Sequence, residues 1–450
     1  MAPAFTNRPL AWSFRDAKVG SIVIGLSLCG WAQAEDFSLH GQATWIAQQK
    51  APFAATYSGE RSLSPHREKS YSWTSTLFVG VGVGPSTEVF VNPELVQGAA
   101  LSGLMGLGGL TNAELQKTAG STPQAYWARA FVRHMVNVDA EPADEEEIPS
   151  AINQLARRQS RQRWVMTWGR LAVTDVFDTN RWAHDGRTQL LNWSFLTHGA
   201  FDFAADARGY STGLVIERYM GPWTWRWGRF LVPQESNGST LNPHWSRQFG
   251  DQVEWQVDHT AWGAKGGSIR GLIFHNKAAM AAYGDAWSTP SSGAPLPKPL
   301  SSVRRVQSKW GWGLSLDQQI HDQVGTFMRI GQHDGKTEAY SFTSIDQSSS
   351  FGLTTVGTAW LRPGEEWSLA WAVNGLSSSH RRYLAAGGTD FFLGDGALRY
   401  GREAIVEILY GIPLTAAIKA SVDFQHITNP GYNRDRGPVR LLALRLHAEF

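Results

Sequence analysis

The chain has 450 residues, with 41 lysines and arginines against 39 aspartates and glutamates, a formal net charge of +2. That balance offers no basic surface for nucleic acid, and a single cysteine excludes a disulfide framework and cysteine-based zinc sites. Charged residues make up only 18 %, whereas tryptophan numbers 21 and glycine 46, a composition suited to membrane-interface aromatic belts on curved strands.

Arg8, Arg15 and Lys18 precede an apolar run at 22–28, and Ala32-Gln33-Ala34 supplies a small-x-small site before Glu35. This predicts an export signal over residues 1–34 and a single mature domain over 35–450. The run is too short to cross a bilayer as a helix, which takes about 20 apolar residues. Cys29 raises lipidation as an alternative, but Leu28 before it is bulkier than the small residue lipidation prefers. Removing the leader, with Arg8, Arg15, Lys18 and Asp16, leaves the two charge signs equal and no cysteine. The mean hydropathy of −0.28 excludes a helical membrane protein and is what alternating strands average to.

Sixteen strands are predicted in chain order: 37–48, 71–83, 87–95, 125–138, 163–172, 210–219, 223–231, 251–261, 268–277, 306–318, 323–332, 351–361, 366–374, 402–410, 415–426 and 439–450. In the second, Trp73, Leu77, Val79, Val81 and Val83 share one face, and Ser72, Thr74, Thr76, Gly80 and Gly82 the other. The connections alternate between short turns, such as Gly84-Pro85-Ser86, and long links, the longest at 173–208. All long loops then lie at one end and all short turns at the other. That predicts an all-β transmembrane antiparallel barrel of about 16 strands, with short periplasmic turns and long extracellular loops. Closure is required because an open sheet edge in lipid is prohibitively costly. One link, 139–162, is long at the short-turn end. Its acidic run from Asp139 to Glu147 suggests a solvated loop, with cation bridging as the alternative.

The final strand is the clearest. Leu442, Leu444, Leu446, Ala448 and Phe450 form an apolar face, and Ala443, Arg445, His447 and Glu449 form the other. Such a two-faced strand ending on an aromatic residue is expected of a closing barrel strand, with lipid on one side and a polar lumen on the other. In the fourth strand, Tyr126, Ala128, Ala130, Val132, Val136 and Val138 are expected to face lipid. Arg129, Phe131, Arg133 and Asn137 take the opposite face, because an arginine toward lipid costs roughly 2–4 kcal/mol near the midplane. The inward arginines either orient solute hydroxyls or fill the barrel with salt bridges. By the same logic Lys419, Ser421, Asp423 and Gln425, and Glu403 and Glu407, point inward. Around Trp164–Arg170 and Trp223–Arg229 the parity of the tryptophans conflicts with that of the final arginine, which a bulge or strand end would resolve.

Two links carry polar chemistry. Asn-Pro-Glu-Leu-Val-Gln-Gly at 92–98 is expected to open the second loop. The 173–208 link holds Asp-Val-Phe-Asp-Thr-Asn at 175–180 and His-Asp-Gly-Arg-Thr-Gln-Leu-Leu-Asn-Trp at 184–193. It is too long and aromatic for a tether and is expected to fold into the lumen, bringing Asp185, Arg187 and Trp193 toward the arginine wall. Bidentate polar groups beside an aromatic face are what sugar hydroxyls and ring faces require. The 92–98 and 184–193 motifs, with Asp-Phe-Ala-Ala-Asp at 202–206, Pro-Gln-Glu-Ser-Asn at 233–237 and Gln-His-Ile-Thr-Asn-Pro-Gly-Tyr-Asn-Arg-Asp-Arg-Gly-Pro at 425–438, resemble the carbohydrate-selective, OprB-like porins across essentially the whole mature chain. The resemblance implies a sixteen-stranded barrel that passes small sugars by facilitated diffusion through an internal constriction. On matching positions it assigns that constriction to Glu94, Arg129, Arg133, Asp185, Arg187 and Glu235. Gln234 stands where the family more often has lysine, which weakens any basic patch there.

Carbohydrate solutes, outer-membrane lipids and lipopolysaccharide, and the barrel assembly machinery acting on the strand ending at Phe450 are the expected partners. No cofactor, metal or nucleic acid is expected. The alternatives are a porin for other small polar or anionic solutes, a plugged barrel with an adhesive or structural role, and an outer-membrane hydrolase. For the last, His134 is the best outward-facing base, but it has no serine partner in phase. No nucleotide-binding spacing appears, and Gly84, Gly106, Gly108 and Gly109 suit turns and loop packing.

Overall fold

The structure, a computed structural model, describes residues 35–450 apart from 119, 139–144, 261–264, 289–295, 342–343 and 358–361. The expected leader and the first part of the acidic run lie outside the described residues. The strands are β1 (Phe37–Lys50), β2 (Glu68–Val83), β3 (Thr87–Ala99), β4 (Gln124–Asn137), β5 (Glu145–Ile148), β6 (Arg157–Ser160), β7 (Gln162–Leu171), β8 (Ser211–Met220) and β9 (Trp223–Phe230). They continue as β10 (Phe249–His259), β11 (Gly267–Ala281), β12 (Arg304–His321), β13 (Val324–His333), β14 (Gln347–Val356), β15 (Glu366–Gly375), β16 (Glu403–Pro413), β17 (Ile418–Thr428) and β18 (Val439–Glu449). Two short helices, α1 (Trp193–Leu196) and α2 (Ser378–Ala385), lie in loops.

Sixteen of these strands form one closed barrel in sequence order, with β5 and β6 set apart as a separate two-stranded sheet. Closure comes from β1 and β18, antiparallel with Trp45 opposite Leu446. Phe450 extends the pairing by exchanging backbone hydrogen bonds with Gly41 at 3.0 and 3.1 Å. Leu442, Leu444, Leu446 and Phe450 are exposed on the outer surface, while Arg445 and His447 are buried inside, as the alternation requires. Among the described residues no helix is long and apolar enough to cross a membrane.

All sixteen predicted strands are present. The largest displacement is β14, expected at 351–361 and found at Gln347–Val356. Its first four residues, Gln-Ser-Ser-Ser, have no apolar alternation, yet they pair with β13 and β15.

The fourth strand needs a correction. Between β3 and β4 the register steps from Asn92 opposite Arg129 to Pro93 opposite Trp127, which leaves Ala128 unpaired. Pro93 has no N–H to give the ladder, so the pair bulges there. The bulge reverses the parity above it. Trp127 turns outward, 60 % exposed, and Tyr126, expected on the lipid face, turns inward to donate its hydroxyl hydrogen bond to Glu94. Arg129 and Arg133, below the bulge, keep their inward direction. The 92–98 run, expected to open a loop, continues β3 to Ala99.

The two ambiguous strands resolve differently. In β7, Trp164, Met166 and Trp168 face out. Gly169, at φ +139°, bends the strand end so that Arg170 reaches Asp206 at 2.5 Å. In β9, Trp223 and Trp225 face out and Arg226 faces in, between Glu217 (3.0 Å) and Glu254 (2.9 Å). Arg229 stays on the outer face near the strand end, doubly bonded to Asp251 on the neighbouring strand, which removes its unpaired charge.

Long loops cap the opposite end. His380 on α2 sits buried between Asp346 (3.2 Å) and Asp390 (2.9 Å) and stacks on Tyr283. Burial alone would depress the imidazole, but the two carboxylates outweigh it and raise its pKa to about 9. Two extracellular loops are thereby joined by a charged clamp, and the Tyr283 stack ties in a third.

Candidate functional site: a channel beside an inserted loop

The link between β7 and β8 enters the barrel, as its length and aromatic content predicted. Phe177, Leu190, Leu191, Phe195, Phe201 and Phe203 on it are buried. The wall holds it with polar groups. Glu407 accepts the backbone N–H groups of Leu191 and Asn192, and Gln425 accepts the Asn192 side chain at 3.0 Å. Arg329 donates to Asp178 and to the carbonyls of Ala183 and Phe195. Arg445 donates to the carbonyls of Gly186 (2.9 Å) and Gln189 (2.6 Å). The second loop is anchored similarly, with Gly108 and Gly109 donating to Glu403 at 3.1 and 3.2 Å. A Cβ at Gly108 would collide with the Tyr432 ring, so this glycine does serve loop packing. Inward polar side chains on β16, β17 and β18, Glu403, Glu407, Gln425 and Arg445, therefore satisfy the inserted loops rather than line open water.

What stays open lies on the other side. A cavity of about 720 Å³ is lined on the wall by residues of β1–β4 and β7–β9 and by none of β10–β18. Lys117, Arg208 and Tyr210 line it toward the extracellular loops, followed by Arg129, Asp175, Asp185, Arg187 and Trp193, then Arg133 and Glu88 toward the short-turn end.

Arg187 is the hub. It is 5 % exposed and bonds Glu114 through Nε (2.8 Å), Thr76 through Nη1 (2.9 Å) and Glu94 through Nη2 (2.7 Å). It thus ties two loops to β2 and β3. Asp185 accepts the Arg187 backbone N–H at 2.9 Å and fixes that turn. Burial would raise the Glu114 carboxyl pKa, but Arg187 and Lys117 hold it below its ordinary value. Burial works the same way on Asp175 and is outweighed by Arg129, which bonds it at 2.6 and 2.7 Å. The Tyr210 ring stands among Lys117, Arg129 and Arg170, whose charges lie 5.2–5.8 Å from its centroid. Arg208 covers Tyr126 at 4.3 Å.

Of the residues singled out from sequence, Arg129, Arg133, Asp185, Arg187 and Trp193 share this cavity. Glu94 lies behind it, fully buried as the partner of Arg187. Glu235 is elsewhere, in the outer loop after β9, with its side chain 68 % exposed and 3.4 Å from Arg304. The sequence reading missed Glu114, Lys117 and Tyr210, while Asp175 lies in the 175–180 motif it drew from the long loop. The signal for the first two was present: Asn112 caps the turn that starts at Ala113 by accepting the Glu114 N–H, but it lay inside a glycine-rich stretch read only as loop. Outside the barrel, His134 bonds Thr87 at 2.9 Å. Among the described residues no group of three His, Cys, Asp or Glu side chains is arranged so that it could hold a metal ion.

Comparison with known proteins accords with this architecture. The family model described as "Carbohydrate-selective porin, OprB family" matches residues 61–450. The high-pH structure of OprB from Pseudomonas putida superposes with a TM-score of 0.67 at 14 % identity, covering 92 % of this chain and 94 % of that one. The outer-membrane channel DcaP of Acinetobacter baumannii gives a TM-score of 0.51 at 12 % identity, covering 94 % and 100 %. Curated protein sequences gave no match. At these identities the two structures show the fold alone, and it is the family match over most of the length that assigns function: the chain belongs to the OprB family of carbohydrate-selective porins and is an outer-membrane sugar channel.

Proposed function

We propose that solute passes through the cavity beside the inserted loop, and that Arg129, Arg133, Asp185, Arg187 and Trp193 act on it there, with Glu94 positioning Arg187. The observation that carries this reading is the charge pairing along the path. Lys117 lies 3.0 Å from Glu114, Arg129 2.6 Å from Asp175, and Arg187 2.7 Å from Glu94. Cations so matched offer donors and acceptors side by side and reduce the field that would hold an anion, although Arg208 bonds the neutral Gln124 amide instead of a carboxylate. Neutral sugars suit that arrangement better than anionic solutes. Trp193 and Tyr210 border the passage with only 9 % and 2 % of their surface exposed, so they shape its wall rather than offer a free stacking face. Because the arginines already have partners, a sugar exchanges hydrogen bonds rather than gaining them outright. Its residence stays short enough for release.

Replacing Arg129 and Arg133 together with alanine is expected to raise ion conductance and to weaken sugar block. A lost bond to a charged group is worth roughly 1.5–3 kcal/mol, or about tenfold or more in affinity. Planar-bilayer recording measures both quantities. Wild-type conductance with wild-type block in the double variant would mean that the arginines only fill the wall.

The same reading gives export by residues 1–34, with the mature chain starting at Glu35, which N-terminal sequencing tests. It gives lipid and lipopolysaccharide contact along the outer tryptophan-bearing surface, recognition of the 439–450 strand by the assembly machinery, and no enzymatic activity.

A further inference from the structure

The link between β4 and β7 is the one long connection at the short-turn end, and its described part does not hang free. β5 and β6 pair from Glu145 with Ser160 to Ile148 with Arg157. Between them Ala151 and Gln154 exchange both backbone hydrogen bonds at 3.0 Å, with Asn153 at φ +56°. The turn is fastened to the inner wall. Leu155 is completely buried. Arg157 lies 2.7 Å from Glu88 and donates to the Pro85 carbonyl at 2.8 Å. Arg133 donates to the Asn153 carbonyl, and Asn92 to its side chain, both at 2.9 Å. Glu35 and Ala156 bond each other through the Glu35 N–H (2.8 Å) and its carboxylate (2.7 Å).

Fixing a backbone costs roughly 1–2 kcal/mol per residue, so a solvated tether gains nothing from these anchors. They hold Ile148, Ile152, Asn153 and Gln154 on the wall of the same cavity that Arg129 and Arg187 line farther up. Ile152 remains 44 % exposed there. Gln154 donates Nε2 to the Pro149 carbonyl at 2.7 Å, which leaves its Oε1 as an acceptor.

We propose that residues 148–154 form a second constriction, at the periplasmic mouth, that meets the sugar after it leaves the arginine zone. The carboxamides of Asn153 and Gln154 exchange hydrogen bonds with hydroxyls, and Ile148 and Ile152 narrow the passage and touch the apolar edge of the ring. This inference rests on the sugar-channel reading above, and sided measurements separate the two. In planar bilayers with barrels of known orientation, glucose and maltose are added to one side at a time. In the triple variant Ile152→Gly, Asn153→Gly, Gln154→Gly, the block rate for sugar added on the periplasmic side should rise several-fold, with a clear gain in ion conductance. The rate from the extracellular side should change little.

A second measurement does not depend on that variant folding. The chain's one cysteine is Cys29, so with residues 1–34 removed Ile152→Cys gives a single target for a water-soluble methanethiosulfonate. Modification should cut the current by half or more. Unchanged current after confirmed labelling, or a folded triple variant with unchanged sided rates, would overturn the second constriction and leave the channel reading intact. Absence of current or of sugar block in the wild-type protein would instead overturn the channel reading itself.

Discussion

Replacing Phe450 with aspartate is expected to reduce the folded barrel recovered from cells to a small fraction of the wild-type level, while refolding into detergent stays nearly normal. The backbone pairing of Phe450 with Gly41 survives the change, since it uses only N–H and C=O groups. What is lost is the ring, 72 % exposed on the outer surface and packed where Gly41 leaves room for it. A charge at this end of the strand sits near the membrane boundary, where the penalty is about 0–1 kcal/mol rather than the 2–4 kcal/mol of the midplane. Thermodynamics alone therefore predicts a mild defect. A severe one in cells points to recognition of the closing strand during assembly, before β18 has met β1 and removed both edges. Heat-modifiable gel mobility of unboiled samples measures folded barrel in both settings. Normal recovery from cells would contradict the role given to Phe450, and equal failure in detergent would make it a stability residue instead.

Replacing Arg187 with methionine should have the largest effect on the pore. Methionine fills similar volume but leaves Glu94 and Glu114 buried without their shared cation. Breaking one side of a buried ion pair costs about 3–5 kcal/mol, and here one guanidinium serves two carboxylates and a hydroxyl. The 184–193 segment and the turn at Ala113–Lys117 should detach from β2 and β3. The expected results are a lower midpoint for thermal loss of the heat-modifiable form, a larger and noisier conductance, and weaker sugar block. Lysine at this position should rescue little, because a point charge cannot bridge three groups in a fixed fork. A methionine variant with wild-type stability and conductance would show that the loop is held by its apolar contacts and by the opposite wall.

The barrel was legible in the sequence because lipid imposes a rule on every strand. The outer face must be apolar, so alternation marks each crossing, and β18 shows it without interruption from Leu442 to Phe450. Where a strand departs from alternation the reading fails locally. The β3–β4 bulge sent Tyr126 inward, and the serines of β14 hid its start. Pro93 was the available clue to the first, since a proline inside a ladder needs an irregularity beside it. The site was legible only in part. Arg129 and Arg133 follow from strand parity. Arg187, Asp185 and Trp193 follow from a motif in a loop too long to be a tether. Lys117 and Glu114 reach the channel through loop folds with no period to read, and the inward polar side chains Glu403, Glu407, Gln425 and Arg445 on β16, β17 and β18 hold the loops. The part of the link that follows the acidic run carried no legible signal, because its anchors Arg157 and Asn153 find their partners on β3 and β4 rather than locally.

The central claim is a neutral-sugar path through a charge-paired constriction, and single-channel recording of the purified wild-type protein against a panel of neutral mono- and disaccharides and their acidic counterparts tests it most directly. The account predicts a steady ion current, interrupted by brief blocks whose frequency rises with neutral sugar and saturates around the millimolar range, near 4 kcal/mol of binding. A current indifferent to neutral sugars but blocked by the anionic ones, or no current at all, would contradict it.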